Sequence, residues 1–261
     1  MAYSIRETFF IGHIIMKAVK RVLLLFIVSI PIITSFSMPV AIADEKEVLS
    51  KELSTLYRSA RRVISVNQKH INDPTIGDKG LSAKAVIEKA KVNYKTATGT
   101  DINLATNTQA KQAMLNAVGD VMDEAQELIN EKGTGFKGFL PAIFARQVAT
   151  KFTSNMDGKM KIKLTAPKKY VRNRANRPDK WEHKTIESKF KSPSYEKGLP
   201  FFENTMVKGK PAYRYILPEY YSKSCLGCHG TPKGDLDITG GKKEGGVLGE
   251  LGGAISLSIF E

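Results

Sequence analysis

The sequence predicts an α+β protein, and three features predict it. From residue 45 to residue 152, apolar side chains recur mostly every three or four positions, the period of helices with one buried face. From residue 159 the alternation shortens to two, the period of half-exposed strands. Late in this second part, the only two cysteines of the chain sit in Cys225-Leu226-Gly227-Cys228-His229, between the last two expected strands. The chain after its leader therefore divides into a mainly helical part, 44–155, and a part of sheet and loops, 156–261.

The leader comes first. Lys17, Lys20 and Arg21 precede an apolar run over residues 22–33, and Ala41-Ile42-Ala43 supplies a small-x-small cleavage pattern before Asp44. These are the parts of a secretory signal peptide, so residues 1–43 are expected to be removed and the product to be periplasmic or otherwise exported. Ser29 and Pro31 interrupt the run, which falls short of the ~20 apolar residues of a spanning helix. The stretch before Met16 is long for a signal peptide, which makes Met16 a candidate start. Removing 43 of the 261 residues leaves 218, enough for one large domain. The leader holds four basic residues and one acidic, so the net charge of +14 falls to near +11. In an exported protein that balance points away from nucleic acid. It suits either an acidic redox partner reached by electrostatic steering or a generally basic, soluble surface.

Taken in order, Leu49, Leu53, Leu56, Ala60, Val63, Ile64 and Ile71 mark a helix over 45–72, stopped by Asn72-Asp73-Pro74. His70 lies near its buried stripe. Ser82 caps a second helix through Val86, Ile87, Ala90 and Tyr94. A third covers 108–131, with Met114, Ala117, Val118, Val121, Ala125, Leu128 and Ile129 inward and Gly133 as its C-cap. Residues 133–138 match the dinucleotide fingerprint G-x-G-x-x-G, but a helix precedes them where the fingerprint needs a strand. A fourth helix starts at Pro141 and reaches residue 152. Strands are expected at 159–165, 201–207, 212–217 and 254–260, the middle two joined as a hairpin by Lys208-Gly209-Lys210-Pro211. A basic loop carrying Arg172 and Arg174 leads into a short helix near 179–190 with Trp181, Glu182 and His183. Asp235-x-Asp237-x-Thr239-Gly240 begins like a calcium loop, yet Gly246 stands where the bidentate glutamate belongs, so an EF-hand is rejected.

The C-x-x-C-H motif carries the chemistry. Two thiols three positions apart suit thioether bonds to the two vinyl groups of one haem, with the following histidine beneath the iron. Zinc would need two more ligands from His70, His183 or a carboxylate. A thioredoxin-like pair would open a helix, which Gly230, Pro232 and Gly234 disfavour. A disulfide would close too short a loop to stabilise much. Covalent haem c, one per chain, agrees with the export signal, because haem c is matured outside the cytoplasm. Arg172 and Arg174 could clamp its propionates or merely line a solvated loop.

Residues 135–146, Arg172-Asn173 with Pro178-Asp179 and Trp181-Glu182, residues 224–230 and residues 252–256 together resemble one family. It is the family of single-haem c-type domains with a PAS-like sheet, found also as extracytoplasmic sensor modules. The resemblance covers most of the chain after the leader and implies a central antiparallel sheet flanked by helices, with the haem held against it. It implies Cys225 and Cys228 as attachment sites and His229 as the proximal ligand. Family members can use a cysteine of the N-terminal helical region as sixth ligand. This chain has no third cysteine, so the sixth position is open or taken by His70, Met156, Met160, Met206 or a lysine. The expected function is one-electron transfer, with redox or gas sensing through a signalling partner as the alternative. No acid/base pair for peroxidase-like catalysis can be picked out, so an enzyme is not expected.

Overall fold

The computed structural model describes residues 44–261. The expected signal peptide and its cleavage after Ala43 lie outside the described residues.

Helix α1 spans Glu45–Val66 because Asp44 caps its first turn, Glu45 and Glu47 suit the positive end of its dipole, and one stripe is apolar. Leu49, Leu53, Leu56, Ala60, Val63 and Ile64 on that stripe are buried. The single helix expected over 45–72 is broken at Asn67, whose side-chain amide donates back to the Val63 carbonyl at 2.7 Å. That bond competes with continuation of the helix, and a one-turn α2, Gln68–Ile71, follows. Helix α3, Ala83–Thr98, begins on Ser82 as expected and ends on Gly99 in the left-handed region. Helix α4, Thr108–Asn130, ends one residue before Glu131. Gly133 is therefore not its C-cap. It lies two residues beyond the cap, at φ 84°, and donates to the Pro74 carbonyl at 2.9 Å. Helix α5, Pro141–Asn155, completes the helical part. The G-x-G-x-x-G stretch is a connection between α4 and α5, with no strand before it.

The four expected strands form: β1 Met160–Thr165, β2 Phe201–Val207, β3 Lys210–Tyr220 and β4 Leu251–Phe260. They make one open antiparallel sheet in the order β1-β4-β3-β2. Strand alternation gives the sheet two buried faces. Tyr213, Tyr215, Leu217, Ile255 and Leu257 join the core built with the helices. Ile216 and Ala254 instead meet Ile186 and Phe190. Those two lie in the π-helical turn Ile186–Phe190, which continues helix α6, Lys180–Thr185. The expected helix near 179–190 is thus present with a change of winding at Ile186. A capping box between Asp179 and Glu182 starts α6. Buried Arg214 of β3 pins it, bonding Asp179 at 2.8 Å and Glu182 at 3.3 Å with its guanidinium over the Trp181 ring. The fold is therefore α+β, an antiparallel sheet flanked by helices.

The register decides which end of the sheet matters. Tyr220 pairs with Leu251, and Thr165 with Ala254, at one end. Pro211 pairs with Met206, and Ile259 with Met160, at the other. Helix α1 reaches both ends: Lys46 bonds Glu261, whereas Arg58 and Arg61 bond Glu219 and Ser65 bonds Ser224 at 2.8 Å. Among the described residues, no helix is long and apolar enough to cross a membrane.

Candidate haem-attachment site

The motif begins immediately beyond the Tyr220 end of β3. A 3-10 turn, Lys223–Cys225, runs into a single helical turn, α7, Leu226–His229. The sequence argued against a helix here, and a longer one does not form. The turn ends at Gly230, whose backbone turns extended and where a side chain would place Cβ 2.4 Å from the Leu226 carbonyl oxygen. One turn is sufficient. Positions three and four apart on a helical turn share a face, so Cys225, Cys228 and His229 converge. Both cysteines are free thiols of intermediate exposure, and Ser222 Oγ lies 3.3 Å from Cys225 Sγ.

His229 is held on two sides. Its Nδ1 lies 2.9 Å from Glu244 Oε2, which leaves Nε2 as the nitrogen free to bind a metal. Its ring stacks on Tyr221, with centroids 5.4 Å apart and planes 18° from parallel. Tyr221 meets Tyr170 edge-on at 5.6 Å, and the Tyr170 hydroxyl donates to Glu250. The glycine-rich loop folds closely over this stack. Gly246 donates to the His229 carbonyl at 2.7 Å. A Cβ at Gly246 or at Gly252 would stand 2.4 Å from the Tyr221 ring. Glycine is required at both by close approach.

Arg172, expected as a possible propionate clamp, is bonded within the protein. Its guanidinium donates to Glu244 through Nε, to Asp237 through Nη1, and from Nη2 to the carbonyls of Cys228 at 2.6 Å and Lys242 at 3.1 Å. It ties the motif to the far side of the loop, and its donors are spent within the protein. Arg174 sits exposed in the 3-10 turn Arg174–Asn176, beside β1. The apparent calcium-loop residue Asp237 accepts from the Thr239 backbone N–H and hydroxyl as well as from Arg172, closing a turn.

These contacts set the titration of the site. Burial pushes the Glu244 carboxyl up, but bonds from Arg172 and His229 outweigh it and leave it below the ordinary value. Asp237 goes the same way: burial opposes, Thr239 and Arg172 prevail, and its pKa falls to about 2. Glu250 is lowered chiefly by the Tyr170 hydroxyl. Burial, with Asp237 nearby, pushes the Cys228 thiol up. That is the reverse of the shift that activates a redox cysteine.

Of the remaining expected ligands, the three methionines are placed apart from the motif. His70 Nε2 hydrogen-bonds the Lys79 carbonyl at 2.9 Å, within the connection from α2 to α3. Met160 and Met206 belong to the opposite end of the sheet, about 25–30 Å from the motif by strand rise. Met156 is buried there in the helical core, its carbonyl bonded to Lys159 just ahead of β1. Among the described residues, no group of three histidine, cysteine or carboxylate side chains is arranged to hold a metal ion. The site fits a haem on this chain's own chemistry. Two half-exposed thiols and a histidine with Nε2 free share one turn, and a carboxylate stands behind the ring. Glu244, Asp237, Tyr221, Tyr170 and Glu250 were not singled out as partners from sequence. No spacing marks them, except that the aspartate sits in a turn-like D-x-T-G.

The fold and site define a class: an α+β domain with a C-x-x-C-H turn at one end of an open antiparallel sheet. The sequence profile described as Tll0287-like matches residues 50–259, and the chain belongs to the Tll0287-like family. Neither a curated protein nor a solved structure matches the chain.

Proposed function

We propose that this protein is an exported single-haem c-type protein that passes one electron at a time to and from a partner. The arrangement that carries the reading is His229, held through Nδ1 by Glu244 with Nε2 free, one helical turn from the Cys225 thiol. Covalent attachment adds each thiol across a vinyl group, sulfur to one carbon and hydrogen to the next, with no net oxidation. When bound, the iron supplies a ferric/ferrous couple. The chain's own part is to hold His229 in one tautomer and raise its basicity through the Glu244 carboxylate, which favours the ferric state. The net charge near +11 left once the expected leader is removed supports docking of an acidic redox partner.

One observation favours a second reading, gas or redox sensing at an open sixth position. The three methionines lie at the far end of the sheet, and the His70 Nε2 is engaged by Lys79.

Both readings stand or fall on attachment. Cys225→Ala with Cys228→Ala, coexpressed with the cytochrome c maturation machinery, is expected to abolish the haem band of a denaturing gel. A band that persists, or a wild-type protein without haem, would sink the haem reading. The reduced wild-type spectrum with and without carbon monoxide then separates the uses. An unchanged spectrum supports the electron carrier, and a carbonyl spectrum supports the sensor.

A further inference from the structure

Beside the motif lies a cavity of about 410 Å³ whose wall includes Lys169, Lys233, Lys242, Lys243, Glu244 and Glu250. The charges in that wall are not balanced among themselves. Glu244 is already engaged by Arg172 and His229. Glu250 is engaged by Tyr170, by Lys169 at 3.2 Å and by the Val247 N–H at 3.2 Å. Lys233, Lys242 and Lys243 have no side-chain hydrogen bond or ion pair among the described residues, and Lys243 is half-buried. The backbone brings together the segments that carry these lysines. Gly234 donates to the Lys243 carbonyl at 2.9 Å, Lys243 donates to the Asp235 carbonyl at 2.8 Å, and a Cβ at Gly245 would touch Lys233 Cβ at 2.9 Å. Like charges set across an antiparallel pairing destabilise it. A loop that collects three of them around a concavity is stabilised by an anion.

We propose that this cleft binds a small di- or polyphosphate. Its volume is that of a small-molecule pocket rather than of a flat docking face. Lysine ammonium groups bind phosphate as mobile point charges, with donors that can be turned to oxyanion oxygens from several directions. Glu244, in the wall of the cleft, lies on the Nδ1 side of His229, away from the free Nε2. The assignment does not rest on haem being present, because the chain's own side chains build the cleft.

The test is calorimetric titration of the exported protein, as isolated, with inorganic pyrophosphate, compared with Lys233→Gln/Lys243→Gln. A control, Lys84→Gln/Lys89→Gln, removes the same charge from exposed positions of α3. One pyrophosphate per chain is expected, bound more weakly as salt rises. The cleft variant should lose at least about tenfold in affinity, one factor of ten being about 1.4 kcal/mol. The control should stay within about twofold, and the thermal midpoint of the cleft variant without ligand should not fall. Absence of saturable binding in wild type, or equal loss in both variants, would overturn the assignment. Saturation without haem in the preparation would leave it standing while removing the haem reading.

Discussion

The helical part and the loop over the motif occupy the same fold and are held by different forces. Leu53, Leu56, Ala60 and Ile64 of α1 are 0 % exposed and share one apolar cluster with Val86, Met114, Val118, Phe144 and Val148. Over residues 230–250 the ties are ionic or backbone. Arg172 spans Asp237, Glu244 and two carbonyls, and Gly245 and Gly246 bond the backbone of Gly230 and His229. Leu236, Ile238, Val247 and Leu248 of that loop point their side chains to solvent, each more than half exposed. The difference teaches where each property is stored. Apolar burial makes the scaffold less sensitive to pH and salt, while His229 is positioned by charges that are sensitive to both.

The largest effect should come from the scaffold. Leu53→Ala empties a fully buried site and is expected to cost about 2–5 kcal/mol in denaturant unfolding. A loss under about 1 kcal/mol would mean that the helical layer is looser than its burial implies.

Arg172→Gln should come next, and it should act locally. It leaves Asp237, whose side chain is 0 % exposed, without its cation. Breaking a fully buried pair costs about 3–5 kcal/mol. The Arg172 side chain is 29 % exposed, and solvent screening reduces the expected cost to about 2 kcal/mol. Hydrogen exchange should quicken over 230–250 while the amides of α1 and α4 keep their protection. Uniform acceleration would erase the contrast between the two parts.

Acid should separate them in the same way. Asp237 titrates near 2, below its ordinary 3.8, and Glu244 and Glu250 titrate below 4.5. A carboxylate depressed in the fold stabilises it above the ordinary pKa, and that contribution is lost as pH falls through the folded value. Stability of the loop should therefore hold from neutrality to about pH 4.5 and fall between there and about pH 2. Chemical-shift or exchange measurements across that range should show 230–250 loosening before the helices. Simultaneous loss would contradict the assignment of the loop to its charges.

The smallest change sharpens the point from the other side. Lys46 and Glu261 form an ion pair with side chains 38 % and 58 % exposed. Lys46→Ala should alter the unfolding free energy by no more than about 0.5 kcal/mol. A larger effect would mean that exposed ion pairs contribute to the helical layer as they do to the loop.

The elements were largely legible in the sequence, for reasons that differ by element. Helices α1, α3, α4 and α5 announce themselves because each buries one stripe, and Ser82 and Pro141 mark their starts by local hydrogen bonding and ring geometry. The strands are read from period two and from the Lys208-Gly209 turn. The break at Asn67 was not read, because an asparagine inside an apolar pattern gives no sign that its amide will turn back to Val63. Buried Lys79, Lys111 and Lys137 were equally invisible. Lys79 and Lys111 end on loop carbonyls at Asp73, Ile76 and Asn103, and Lys137 on the Glu131 carbonyl, and only the folded chain brings those acceptors to them.

For the site the division is as clear. Cys225, Cys228 and His229 are legible in the sequence, because the attachment expected of them depends on spacing within one turn and spacing survives in the linear chain. Their surroundings are decided only by tertiary structure. Arg172 precedes Glu244 by a long stretch that includes α6, β2 and β3, and meets it because the antiparallel register returns β4 alongside β1. The same register carries Met160 and Met206 to the far end of the sheet, and leaves Glu244 behind His229. A pattern of residue types holds no record of that register until the hydrogen bonds of the sheet impose it.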